Sequence, residues 1–112
     1  MKDDRLYLEH ILEATRRIRS YTAEGKASFL ADVKSQDAVI RNLQILGEAS
    51  KKVSSATVAS NPEMPWRSMA GLRDRVVHDY FGVSLEIVWD VIENHLDIVE
   101  REVRKALDRT ES

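Results

Sequence analysis

The sequence predicts an all-α protein, specifically an up-and-down four-helix bundle, and three observations support this class. Helix-favouring residues such as Ala, Leu, Glu and Arg dominate, whereas only 4 Gly and 2 Pro interrupt the chain. Apolar residues recur every three or four positions over long segments, which is the helical period. Connections of modest length separate these segments, so we expect a single domain over residues 1–112.

The composition and charge narrow the function classes. The chain has no cysteine, which excludes disulfides and thiolate metal sites. No apolar run approaches the roughly 20 residues of a membrane span, and the charged start lacks the apolar core of a signal peptide. We therefore expect a cytoplasmic protein with no membrane contact. The net charge of −2 gives no global attraction to nucleic acid, so RNA contact would need a local basic cluster.

The first predicted helix runs from Asp3 to about Tyr21 and ends before the turn at Gly25. Its two acidic residues at the start suit the positive end of a helix. His10 lies at the border of the apolar stripe, and we interpret it as a surface or structural residue. The stripe has helical spacing and comprises Tyr7, Ile11, Ala14, Ile18 and Tyr21.

After Gly25, Ser28 is predicted to cap a short helical turn, and a longer helix opens at Ser35 or Asp37 and continues to about Val53. This helix is apolar on two faces, which would be explained by packing against the bundle on one side and a second subunit on the other. Three polar residues interleave with these faces: Arg41, Asn42 and Glu48. Spacing alone does not show whether they are exposed or interface residues or take part in function.

The segment 54–65 is rich in small and turn-forming residues and predicts a surface connection with at most one short helical turn. Pro65 then stands beside the first turn of a helix that begins near Trp66. The last predicted helix is capped by Ser84 and runs to about Leu107, with apolar spacings of three and four over more than six turns.

The helix that follows Trp66 ends in a segment with unusual chemistry. Arg73 would bind a phosphate, and His78 can transfer protons at neutral pH. Asp74 lies four residues before His78 and could hydrogen-bond the imidazole. On a straight helix, however, Arg73 and His78 are separated by about 140° and roughly 7.5 Å. Either the helix distorts before Gly82, or two chains compose the site across a symmetry axis.

Two sequence blocks resemble a known family. The pattern Arg73-x4-His78-x-Tyr80 resembles the signature of the HEPN superfamily, and its surroundings resemble the HepT-like branch. The block Arg41-Asn-Leu-Gln-Ile-Leu-Gly-Glu-Ala49 is similar to a helix motif of the same branch. The resemblance implies a homodimer whose two motifs line one cleft, and metal-independent cleavage of RNA such as tRNA or mRNA without a cofactor. It gives His78 the role of general base or acid and Arg73 the role of phosphate binder.

The resemblance also implies a partner. HepT-like proteins are toxins of type VII HEPN/MNT toxin–antitoxin systems, in which an MntA-like minimal nucleotidyltransferase silences the toxin by AMPylation of the motif tyrosine. That tyrosine corresponds here to Tyr80. An alternative remains open: the same bundle could be a non-catalytic binding module that serves as a subunit or modification substrate of the nucleotidyltransferase.

Overall fold

The chain folds into helices joined by short connections, as seen in a computed structural model that describes residues 2–72 and 84–111. This part of the chain contains no β-strand, which confirms the all-α class. None of its helices is long and apolar enough to cross a bilayer. The helices are α1 (Lys2–Tyr21), α2 (Lys26–Ala31), α3 (Val33–Lys52), α4 (Ser55–Ser60), α5 (Trp66–Ala70), α6 (Leu85–Asn94) and α7 (Leu96–Glu111).

The core forms where α1 packs between α3 and α7, and α5 packs against α3. The apolar stripe predicted for the first helix is confirmed at Ile11, Ala14 and Ile18, which are buried. Leu43 and Leu46 of α3 face them in the same core and are fully buried. Each such leucine or isoleucine contributes about 1.5 to 3 kcal/mol by leaving water, so the α1–α3 pair is the centre of the fold.

The start of α1 is tied to the start of α4 by one buried carboxylate. The Asp4 side chain accepts hydrogen bonds from the Ser54 backbone N at 2.9 Å, from Ser54 Oγ at 2.6 Å and from Thr57 Oγ1 at 2.5 Å. Ser54 is itself the N-cap of α4 and accepts from the Thr57 backbone N. Asp4 therefore holds two helix starts together, in addition to its predicted place at the positive end of α1.

Both predicted starts after Gly25 were wrong by a few residues. Gly25 has the positive φ of 94° expected of a glycine turn, but α2 begins directly after it, so Ser28 lies inside that helix. The cap of α3 is Asp32, whose side chain accepts from the Lys34 backbone N at 3.2 Å and from Ser35 Oγ at 2.7 Å. Ser35 therefore supports the cap from the first turn of α3 instead of opening the helix.

The second apolar face of α3 is covered largely by the chain itself. Ala49 and Val53 are buried, and Ile45 packs partly against the core. The chain itself therefore covers part of this face, but Ile45 and Ala49 also line a surface groove, so packing against a second subunit stays a prediction.

The segment after the 54–65 connection begins as expected. α4 supplies the single short helical turn, and Pro65 precedes α5. The Trp66 indole N donates to the Asn61 carbonyl at 2.9 Å, which fixes the entry into α5. Met69 and Leu72, three residues apart, are fully buried, as expected for one face of a helix.

The predicted final helix is two helices. Ser84 caps α6 as expected, accepting from the Ile87 backbone N at 3.3 Å. At His95 the backbone leaves helical geometry, with φ −120° and ψ −27°, and α7 begins at the next residue. The hydrogen bonds from His95 N to Val91 O and from Val99 N to His95 O continue across the break. The apolar residues therefore keep helical spacing on both sides of His95, although the backbone helix is interrupted there.

Candidate functional site

The motif residues predicted to carry the chemistry lie outside the described part of the chain. These are Arg73, Asp74, His78 and Tyr80. The described chain stops at the fully buried Leu72 and resumes at the exposed Ser84. Leu72, the last described residue before the motif, belongs to the core to which α5 contributes by packing against α3.

The second set of predicted site residues lies on α3, and the structure separates its members. Arg41 and Glu48 line a groove of about 380 Å³ between α1 and α3. Asn42 is buried and faces a smaller neighbouring depression of about 260 Å³. We call the larger feature the α1–α3 groove; its lining residues are Tyr7, His10, Arg41, Gln44, Ile45, Glu48, Ala49 and Lys52.

One wall of the α1–α3 groove is aromatic. The rings of Tyr7 and His10, one helical turn apart on α1, meet edge to face with centroids 6.3 Å apart and planes at 75°. The Lys52 Nζ lies 5.8 Å from the centroid of the Tyr7 ring, within range of a cation–π contact. The wall thus offers a π-surface beside a positive charge.

The groove carries more positive than negative charge. Arg41 is exposed, and neither Arg41 nor Lys52 forms an ion pair within residues 2–72 and 84–111. The carboxylate that lines the groove, that of Glu48, lies 3.8 Å from Lys51. Two cations that have no ion pair within residues 2–72 and 84–111 lie in one concavity, which makes it an electrostatic site for an anion.

Asn42 has an unusual hydrogen-bonding state. Its Nδ2 donates to the Ala38 carbonyl at 2.8 Å, which fixes the orientation of the amide. Its Oδ1 is buried and accepts no hydrogen bond from any described group. A buried acceptor left unpaired costs about 1 to 3 kcal/mol, so this atom calls for an explanation beyond packing.

Three groove residues were not identified as functional from the sequence. Tyr7 was assigned to the apolar stripe, His10 was interpreted as a surface or structural residue, and Lys52 was not singled out. The available signal was the spacing of three between Tyr7 and His10, which places two rings on one helical face. No group of three or more His, Asp or Glu residues in the described chain is arranged to hold a metal ion.

Comparison with known proteins identifies the family. The family described as Ribonuclease HepT-like matches residues 11–106, which include both predicted sequence blocks. The chain is 42% identical over 104 residues to a Methanocaldococcus jannaschii protein named as a candidate RNase, covering 90% of this chain and 86% of the relative. A Thermococcus cleftensis protein named as a candidate ribonuclease HepT is 41% identical over 100 residues, covering 88% and 91%.

A bacterial relative extends the match to nearly the full length. A Caldanaerobacter subterraneus protein, also named as a candidate RNase, is 34% identical over 113 residues, covering 97% of this chain and 98% of the relative. No solved structure matches the chain.

The fold and the sequence blocks together define an all-α ribonuclease. The chain belongs to the HepT-like ribonuclease family of the HEPN superfamily.

Proposed function

We propose that this protein is a metal-independent ribonuclease toxin of a type VII HEPN/MNT toxin–antitoxin system. The observation that carries the proposal is the pattern Arg73-x4-His78-x-Tyr80 inside the region that matches the HepT-like family. A histidine whose ordinary pKa lies near neutrality and a guanidinium with phosphate-matching geometry are the groups that RNA cleavage without a metal needs.

In the proposed reaction, His78 removes the proton from a ribose 2′-hydroxyl, and the resulting oxygen attacks the adjacent phosphorus atom. The bond between phosphorus and the 5′-oxygen breaks, and a protonated imidazole returns a proton to that leaving oxygen. Arg73 holds the phosphate oxygens and offsets the negative charge that develops on them in the transition state. Asp74, four residues before His78, would orient the imidazole by accepting from its second nitrogen.

We propose that the active unit is a homodimer in which two copies of the motif line one cleft. The support is geometric, because a straight helix separates Arg73 and His78 by about 140° and roughly 7.5 Å. One straight helix cannot aim both side chains at a single phosphate. A twofold axis that places Arg73 of one chain opposite His78 of the other removes this conflict.

We propose that an MntA-like nucleotidyltransferase switches the enzyme off by transferring AMP to Tyr80. The phenol oxygen would attack the α-phosphorus of ATP, which releases pyrophosphate and leaves a phosphodiester on Tyr80. Because Tyr80 lies two residues after His78, the attached nucleotide would place bulk and negative charge where the RNA phosphate must bind.

The nuclease assignment is tested by incubating purified protein with tRNA and mRNA in EDTA, beside His78→Ala and Arg73→Ala variants. We expect cleavage by the wild type and its loss in both variants. Intact RNA with every protein would instead support a non-catalytic binding module that serves the nucleotidyltransferase.

Two further measurements test the partner and the assembly. Mass spectrometry after incubation with the antitoxin and ATP should find AMP on Tyr80, and modification confined to other residues would refute its regulatory role.

Light scattering at micromolar concentration should give twice the chain mass, and a monomer would refute the composite cleft.

A further inference from the structure

The α1–α3 groove carries a function that the motif does not supply. A short reactive segment can cut a phosphodiester bond, but a ribonuclease must also hold the strand on either side of that bond. From the groove's shape, charge and aromatic wall, we infer that it binds single-stranded RNA. This inference rests on the ribonuclease function proposed above.

The shape and chemistry of the α1–α3 groove suit one nucleotide unit. Its volume of about 380 Å³ falls within the range of about 300 to 1,000 Å³ that is typical of small-molecule sites. Arg41 and Lys52 supply two cations for a phosphate. Tyr7 and His10 supply a π-surface on which a base can stack, an interaction worth about 1 to 3 kcal/mol per base.

A second depression of nearly the same size shows that volume alone does not create such a site. It measures about 370 Å³ and is lined by three arginines and three glutamates. Its charges satisfy one another: Arg16 binds Glu13 at 2.5 Å, Arg19 binds Glu100 at 3.2 Å, and Arg104 binds Glu100 at 3.4 Å. An incoming phosphate would have to compete with these pairs, whereas Arg41 and Lys52 have no ion pair to give up within the described chain.

Asn42 adds an independent observation beside the groove. The smaller depression that it lines shares His10 and Ile45 with the α1–α3 groove. The unpaired Oδ1 of Asn42 is an acceptor without a donor in the described chain. A base presents amino and imino donors, which are the kind of group that this oxygen lacks.

A second copy of this chain is the competing occupant, and the charges argue against it. Interface cores are depleted in charged residues, because burying an unpaired cation is costly. A twofold contact through this groove would bring together four cations, Arg41 and Lys52 of both chains, with only the two Glu48 carboxylates among the groove residues to offset them. RNA supplies one negative charge per nucleotide and avoids this cost.

The test measures binding of a fluorescent single-stranded RNA whose riboses are all 2′-O-methylated, so that it cannot be cut. Affinity is recorded between 0.05 and 0.5 M salt for wild type, for Arg41→Ala with Lys52→Ala, and for a Lys34→Ala control. Lys34 is an exposed lysine of the same helix that does not line the groove. Circular dichroism confirms that each variant is folded.

We expect the double variant to reduce the slope of log affinity against log salt by about 1.4, since single strands contribute about 0.7 per neutralised phosphate. If binding is equal at 1 M salt, this corresponds to about 25-fold weaker binding at 0.1 M. Lys34→Ala should leave the slope unchanged. An unchanged slope in the double variant would overturn the inference, and so would a changed oligomeric state with unchanged RNA affinity, which would assign the groove to a protein interface.

The same variants separate this inference from the ribonuclease proposal. If the double variant has a reduced salt slope of RNA affinity but no protein cleaves RNA, the nuclease function is refuted and the groove remains an RNA-binding site. Cleavage by the double variant at the wild-type rate and wild-type KM would refute the groove and leave the nuclease function intact.

Discussion

Two depressions on either side of α1 have almost the same volume but differ in whether their charged side chains form ion pairs. The α1–α3 groove, at about 380 Å³, contains two cations without ion-pair partners in the described chain. The depression between α1 and α7, at about 370 Å³, contains arginines that are bound to glutamates. The difference leads us to expect that the unpaired cations, more than the size of the depression, decide which of the two binds an anionic ligand.

The largest expected effect comes from reversing the groove charges. Arg41→Glu combined with Lys52→Glu should weaken binding of uncleavable single-stranded RNA by about 100-fold or more at 0.1 M salt, because two phosphate contacts become repulsions. The matched control reverses Arg16 and Arg104 in the second depression, which changes the net charge by the same amount. Fluorescence anisotropy should show less than about fivefold weakening in the control. Equal losses in both variants would mean that only net charge matters.

A buried and fully paired charge should act on stability instead of binding. Asp4 is 2% exposed and accepts three hydrogen bonds, so Asp4→Asn should lower the free energy of unfolding by about 2 kcal/mol. Urea unfolding measures this loss, and Asp3→Asn, at the exposed neighbour, is the control. Equal stability of the two variants would remove Asp4 from its role between α1 and α4.

The contribution of Asp4 should also depend on pH. Burial raises the pKa of Asp4, but the hydrogen bonds from Ser54 and Thr57 together outweigh it and hold the pKa below its usual value of 3.8. Because the unfolded chain then binds the proton more readily, the stabilisation is complete above about pH 5 and is lost as the pH falls through the lowered folded pKa. The stability difference between wild type and Asp4→Asn should therefore shrink below pH 4.

A smaller effect of mixed sign is expected at Asn42. Asn42→Leu removes the unpaired Oδ1, so it should raise the free energy of unfolding by about 1 kcal/mol. If the oxygen serves RNA, the same variant should bind RNA severalfold more weakly. This combination is typical of a polar group kept for function. Higher stability with unchanged RNA affinity would reduce Asn42 to a structural residue and confine the site to the α1–α3 groove.

The smallest effect is expected where the charges are already satisfied at the surface. The hydrogen bond and charge of Arg16, together with those of Arg17, hold the pKa of Glu13 at about 2. Arg16→Ala should move this pKa upward toward its ordinary value of 4.5, as measured by NMR titration. The urea midpoint at neutral pH should remain within experimental error, since exposed ion pairs contribute little. A large shift of the midpoint would show that this surface is structural.

The sequence predicted the long helices well and their ends less well. α1 and the interior of α3 follow directly from apolar spacing, because burial of one face determines both. The start of α3 was placed too late because Asp32, which caps it, precedes a polar turn that carries no periodic signal. The break at His95 was missed because the apolar residues on either side keep the same spacing while only the backbone changes.

The chemistry assigned to the Arg73–Tyr80 motif stays a prediction, because these residues lie outside the described part of the chain. The blocks around Arg41 and Arg73 follow from sequence, and Arg41 and Glu48 do share one groove. Tyr7 could not be recognised as a groove residue, because a tyrosine in an apolar stripe is interpreted as a core residue. In the structure it is only half-buried. The opposite wall of the groove depends on how α1 packs against α3, a tertiary contact that spacing within one helix does not encode.

The most direct test of the whole account is the steady-state cleavage of single-stranded RNA in EDTA by wild type, His78→Ala and the Arg41→Ala, Lys52→Ala pair. We expect the wild type to cleave and His78→Ala to show no cleavage at any RNA concentration. We expect the Arg41→Ala, Lys52→Ala variant to keep its kcat while its KM rises by about 25-fold at 0.1 M salt. Cleavage by His78→Ala at the wild-type rate would contradict the assignment of the chemistry to the motif.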